Sequence, residues 1–380
     1  MPVDAPLFAA ARSTPAPRTG YYTQLDSFRG IAALLVVWFH SPFAAGPRPA
    51  LIASAELCVD FFFVLSGFVL MHAYGARIAA GMSFRRFALL RLARLWPLHL
   101  FMLALFVAFG LAQEFAALAG VGSGARAENT IPSLLANIAL LQGLRVEGPL
   151  SWNYPSWSIS VEFYAYLLFF AVIALAGRAR FLAAGLLCGA GYLWLARSGA
   201  AHLADPALGV PRVLAGFFAG VLIYALHARL PDILPRGAQS ACEVAILAAT
   251  GLLLARAGGD VALQFTTMGA FALLILVFAQ GGGVLSGLCA SAPMRHLGRL
   301  SFSVYMSHAF VLMLAGWSAR RVFGVERVEI PGRSAPVLWT EHAGLITAAL
   351  VLLILGLSHL LYTRIERPGQ RLFQRLFGLR

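Results

Sequence analysis

Arg29 and His40 stand in one apolar stretch, Leu25 to Phe43, and the residues between them, Gly30 to Phe39, are almost all hydrophobic. A guanidinium and an imidazole are costly in a membrane-type helix and turn toward protein or water rather than lipid, so their presence is a functional signal. Eleven residues at 100° each end about 20° past three full turns, so both side chains lie on one face, roughly 16 Å apart. A charged anchor near one surface and a titratable ring deep inside suit an elongated, phosphate-bearing cofactor whose reactive end must reach the membrane interior.

Two carboxylates share the depth expected for His40. Asp60 opens the string Asp60-Phe-Phe-Phe-Val-Leu-Ser-Gly67, and Glu162 sits in Pro155-Ser-Trp-Ser-Ile-Ser-Val-Glu-Phe-Tyr164. A carboxylate that accepts a bond from one ring nitrogen fixes the tautomer and leaves the other nitrogen as a base, which makes His40, Glu162 and Asp60 the candidate catalytic group. Neutralising buried arginines is an alternative role for both acids. Toward the opposite surface, Arg91 and Arg94 present two guanidinia on one helix face, a fork suited to phosphate oxygens. His308 falls near the middle of a later span, where helix packing and acceptor binding are both open. Glu366, in Ile365-Glu-Arg-Pro368, reads as one half of an ion pair at the inner surface, and Ser66-Gly67 as close packing of small residues.

The elements that must position these groups are membrane spans. The chain of 380 residues is 60% hydrophobic and only 12% charged, too apolar for a soluble protein of this size. About ten stretches are long enough to cross a bilayer, approximately 27–45, 57–75, 88–111, 156–177, 180–198, 208–228, 238–257, 262–280, 299–317 and 342–362. The fold class is therefore an all-α polytopic membrane bundle. Residues 132–145 are too short and too polar for a span and are expected to be interfacial or re-entrant. With ten spans the arginines concentrate on the side of the termini, which places both termini in the cytoplasm. Residues 1–20 read as a disordered cytoplasmic tail, 21–368 as the membrane domain, and 369–380 as a basic cytoplasmic tail.

Composition also excludes partners. All 29 basic residues are arginines, and the formal charge is +13. They cluster between apolar spans instead of forming an exposed run, so nucleic acid is not an expected partner. The four cysteines stand singly with no paired spacing, which indicates neither a disulfide framework nor a metal site.

At these residues the chain resembles the acyltransferase type 3 family of integral membrane O-acyltransferases. The strings that carry the resemblance are Leu25-Asp-Ser-Phe-Arg-Gly30 with His40, Phe61-Phe-Phe-Val-Leu-Ser-Gly-Phe68, Arg91-Leu-Ala-Arg-Leu-Trp-Pro97, Trp157-Ser-Ile-Ser-Val-Glu162 with Tyr164, Leu297-Gly-Arg-Leu-Ser-Phe-Ser-Val-Tyr305 with His308, and Ile365-Glu-Arg-Pro368. They follow the family's order across nearly the whole chain. Phe302 departs from it where a tyrosine is common, and Phe163 where the family often has an acidic or polar residue. The resemblance implies transfer of an acyl group, usually acetyl, from cytoplasmic acetyl-CoA to a hydroxyl of a surface or exported glycan or a lipid-linked sugar. By position, Arg29 and His40 match its signature arginine and histidine and Arg91 with Arg94 its paired arginines, and the three arginines are the ones expected to hold the phosphates of the donor. Tyr164, Tyr305 and His308 are the residues expected to contact the acceptor. Such an enzyme belongs in a bacterial inner membrane, with lipid as its surroundings. The rival from another class is a proton-coupled transporter or flippase, because intramembrane His, Asp and Glu also form proton relays.

Overall fold

The computed structural model describes residues 22–379 apart from 42–48, 121–123, 125, 145–149, 231–233, 331–332 and 337–341. The tail expected over residues 1–20 lies outside the described residues. In chain order the helices are α1 (Thr23–His40), α2 (Ala50–Ala53), α3 (Cys58–Ala79), α4 (Phe84–Leu118), α5 (Ile131–Ile138), α6 (Trp157–Leu175) and α7 (Arg180–Arg197). They continue with α8 (Gly209–His227), α9 (Arg236–Arg256), α10 (Val261–Gln280), α11 (Val284–Cys289), α12 (Ala292–Arg321), α13 (Ala343–Leu361) and α14 (Arg367–Leu376). A two-stranded antiparallel hairpin, β1 (Arg327–Ile330) with β2 (Arg333–Pro336), is the one departure from an all-α chain among the described residues.

Nine helical segments among the described residues are long and apolar enough to cross a membrane. The chain is a multi-pass membrane protein. The remaining expected span, 27–45, corresponds to α1, whose 18 residues carry Asp26, Arg29 and His40 and which buries the face running from Leu25 to Val37 against its neighbours. Residues 132–145 do not cross: α5 is eight residues long and is followed by a short 3₁₀ turn, Gln142–Leu144. This segment is folded back on the bundle. The Trp96 indole N–H donates to the Ile138 carbonyl at 2.9 Å, and the Ser160 hydroxyl donates to the Leu140 carbonyl while accepting from the Gly143 N–H at 3.0 Å.

Lipid is as apolar as leucine, so helices in a bilayer associate through close packing and polar pairs rather than through hydrophobic burial alone. Both devices are visible. A Cβ at Gly67 would lie 1.8 Å from the Phe217 carbonyl oxygen, and one at Gly220 only 1.9 Å from that of Val64, so α3 and α8 touch backbone to backbone. The same two helices are pinned by Asp60 and Arg212. Likewise a Cβ at Gly298 would lie 2.3 Å from the Asp26 carbonyl oxygen, and one at Gly30 would lie 2.8 Å from the Leu297 carbonyl carbon, which presses α1 onto α12.

The expected basic tail at 369–380 is helical through Leu376. α13 passes through a π-helical turn, Tyr362–Glu366, directly into α14. Phe373 is the reason α14 stays folded on the body, because it is buried in a cluster with Ala93 and beside Trp96.

Candidate active site

His40 is the last residue of α1, and the α1–α12 contact brings it to His308. Their ring centroids are 5.0 Å apart, and His308 Nε2 lies 3.3 Å from His40 Nδ1. Backbone carbonyls fix the protons on this pair, since a carbonyl oxygen can only accept. His308 Nδ1 must donate to the Tyr305 carbonyl at 2.6 Å, and His40 Nδ1 must donate to the Val36 carbonyl at 2.9 Å. His308 Nε2 is then an acceptor facing the same His40 N–H. In the neutral pair, the basic nitrogen of His40 is therefore Nε2. Tyr154 packs edge-on against the His40 ring at 5.4 Å.

A cavity of about 130 Å³ lies on the other side of Tyr305 from this pair, and its lining includes Arg29, Arg91, Arg94, Glu162, Tyr166 and Tyr305. Each arginine has a neighbour that aims it. Arg29 pairs with Asp26 one turn earlier at 3.5 Å. Arg91 donates to the Tyr74 hydroxyl at 2.6 Å and lies over the Tyr74 ring, while its Nε is buried without a hydrogen-bond partner among the described residues. Arg94 is ion-paired to Glu366 and lies over the Phe302 ring at 4.9 Å. Phe302, noted above as a departure from the family pattern, is thus a platform for this guanidinium. Glu162 accepts from the Ser66 hydroxyl and from the Tyr166 hydroxyl, the latter at 2.5 Å. Three cations and a carboxylate face one small space.

The cavity stops short of His40, which is not among its lining residues. Tyr305 bridges the gap. It lines the cavity, and its ring centroid is 5.7 Å from that of His308. Its hydroxyl donates to the Pro155 carbonyl at 2.8 Å, with the Ser158 hydroxyl 2.7 Å away. This volume is below the roughly 300–1,000 Å³ of pockets for ligands of drug size.

Several sequence expectations change here. Asp60 does not orient His40: both of its oxygens are taken by Arg212, at 3.0 and 2.8 Å, with donor and acceptor fully buried. The reason is electrostatic, because a carboxylate without access to water is held far better by a full cation than by a neutral ring. Arg212 is held further by the Ala204 carbonyl and lies over the Trp157 ring. An arginine three residues into an apolar span was the available signal for it. Glu162 does not reach His40 either; it faces the arginine cavity, bonded to Ser66 and Tyr166. Tyr164 points elsewhere, donating to the Ala139 carbonyl on the fold-back segment at 3.3 Å. His308 meets His40 and Tyr305. Glu366 is an ion pair as expected, but a buried one that also accepts from the Ser303 hydroxyl at 2.6 Å. Ser66, read above as a packing residue, instead donates to Glu162, while Tyr166, Tyr74 and Asp26 were not singled out, since hydroxyls and short-range acids are common in such spans.

Comparison with known proteins places the sequence in a family. The chain is 48% identical over 86 residues to protein 2 in the picA locus of Rhizobium radiobacter, a stretch that covers 22% of this chain and 44% of that relative. It is 29% identical over 390 residues to the acyltransferase MdmB of Streptomyces mycarofaciens, with 94% of each chain covered. No solved structure matches it. Residues 22–363, which hold the paired histidines, the three cavity arginines and Glu162, match the acyltransferase domain of the acyltransferase 3 family, and the chain belongs to that family.

Proposed function

We propose that this acyltransferase is a membrane O-acyltransferase. It moves an acyl group, acetyl first among the candidates, from cytoplasmic acyl-CoA to a hydroxyl of a surface or exported glycan or of a lipid-linked sugar. The setting is a bacterial inner membrane with both termini in the cytoplasm. The single observation that carries the reading is the juxtaposition of a tautomer-fixed His40–His308 pair with an arginine-lined cavity through Tyr305.

In this reading Arg91 and Arg94, assisted by Arg29, hold the phosphates of the donor, and the buried unpartnered Nε of Arg91 gains an acceptor. The pantetheine arm follows the cavity toward Tyr305 as the helices part. His40 Nε2 removes the proton of the acceptor hydroxyl while its oxygen attacks the thioester carbonyl. The tetrahedral centre then collapses, the C–S bond breaks, and the thiolate of coenzyme A takes the proton back from the imidazolium. His308 accepts the Nδ1–H bond of His40 throughout and stabilises the positive ring, the part first expected of a carboxylate.

The test is incorporation of label from acetyl-CoA into glycan by membranes containing the protein. His40→Ala, present in the membrane at normal level, is expected to lose about 10²–10⁴-fold of the rate. Undiminished incorporation removes His40 from the chemistry. Uptake without covalent label points instead to the transporter alternative.

A further inference from the structure

α14 sorts its side chains into sectors, with Gln370 and Gln374 half-buried between the arginines and the packed side. At 100° per residue, Arg367, Arg371 and Arg375 fall within an arc of about 80°, Pro368, Leu372 and Leu376 fill the next 80° or so, and Gly369 and Phe373 occupy the sector beyond. The structure uses them in that order. The three arginines are exposed, Leu372 and Leu376 are 56% and 73% exposed, and Phe373 is buried. A Cβ at Gly369 would lie 2.7 Å from Cβ of Pro97, so this side is pressed on α4.

No acid occurs between Arg367 and Leu379. The nearest one, Glu366, is turned inward onto Arg94 and Ser303. Among the described residues no acid is paired with these guanidinia, and they are flanked by leucines that are poorly placed in water. α14 also begins where the span α13 ends, with one π turn between them that exposes Arg364 on the way. A basic helix with an exposed apolar flank at the end of a span fits the boundary between headgroups and acyl chains.

We propose that this face of α14 docks on anionic phospholipid headgroups of the leaflet at which α13 ends, with Leu372 and Leu376 sunk beside the arginines. Charge complementarity selects the partner, since a second copy of the chain would have to bring a matching acidic patch. Glu366 directly precedes α14, so the seat of the helix on the leaflet sets the height of Glu366 and, through the ion pair, of Arg94 in the cavity. The proposal stands independently of which acyl acceptor the enzyme uses.

Hydrogen exchange of residues 367–376 in the full chain, held in nanodiscs of phosphatidylcholine alone or mixed with phosphatidylglycerol, tests it. Slower exchange of α14 in the anionic discs is expected, by about fivefold for each arginine seated, with the difference shrinking at high salt. The variant R367Q/R371Q/R375Q is expected to exchange equally in both, while the α3–α8 core stays as protected as in the wild type. Equal exchange of the wild-type helix in the two discs overturns the proposal. So does protection that follows protein concentration rather than lipid composition, which would assign the face to a second copy.

Discussion

His40 follows Gly30 on α1 by the same ten residues by which His308 follows Gly298 on α12. The glycines are where the two helices touch, and the histidines are where the rings meet. Equal rise from one contact, about 15 Å on each helix, means that α1 and α12 run in parallel and that their apposition alone sets the distance between the imidazoles. The geometry of the proposed base is thus decided at a glycine contact three turns away.

Gly30→Ala and Gly298→Ala should therefore impair the histidine pair without touching it. The added methyl meets backbone at under 3 Å in both cases, so the helices must separate. A loss of about 1–3 kcal/mol in stability is expected, visible as a lower melting temperature of the solubilised protein. Acylation should fall more than the folded fraction does.

His308→Ala is expected to lower kcat by about 10–100-fold with little change in KM for the donor, in line with losses seen when the partner of a functional histidine is removed. His308→Gln keeps a side-chain acceptor for the His40 N–H and should recover part of that loss. Steady-state kinetics on both variants decide; an unchanged kcat in His308→Ala would assign His308 to packing.

Arg94→Met leaves the buried Glu366 carboxylate unpaired and is expected to destabilise the protein by about 3–5 kcal/mol. The double change Arg94→Met with Glu366→Leu should restore most of that stability but not the affinity for acyl-CoA. Thermal unfolding and binding of coenzyme A, measured on the same three proteins, separate the structural part of the pair from the donor-binding part.

Asp60→Asn makes the contrasting case. It strips the counter-charge from the buried Arg212, so a stability loss on the order of 3–5 kcal/mol is expected. Activity per folded molecule should be nearly unchanged, because neither residue touches the histidine pair. A large fall in kcat with normal stability would return Asp60 to the catalytic group.

The membrane class, the helical spans and the presence of Arg29, His40, Arg91 and Arg94 inside or beside them were legible in the sequence, because a charge inside a 20-residue apolar run stands out against its background. The demotion of residues 132–145 followed from length and polarity in the same way. Pairing was not legible. Depth along a span can be counted from sequence, but azimuth between spans cannot, and Asp60, Glu162 and His40 at similar depth turned out to face three different neighbours. Asp60 went to Arg212 because a buried carboxylate takes a full cation, and Glu162 went to Ser66 and Tyr166 in the wall of the cavity. The basic run after residue 368 read as a tail because it lies beyond the last apolar span and is rich in arginine. Only the packing of Phe373 and Gly369 on α4 made it a helix with a fixed seat. One-dimensional pattern thus determined which residues are costly in a bilayer. Which of them meet was decided by tertiary structure, since glycine contacts a few ångströms across set the rotation and spacing of whole helices.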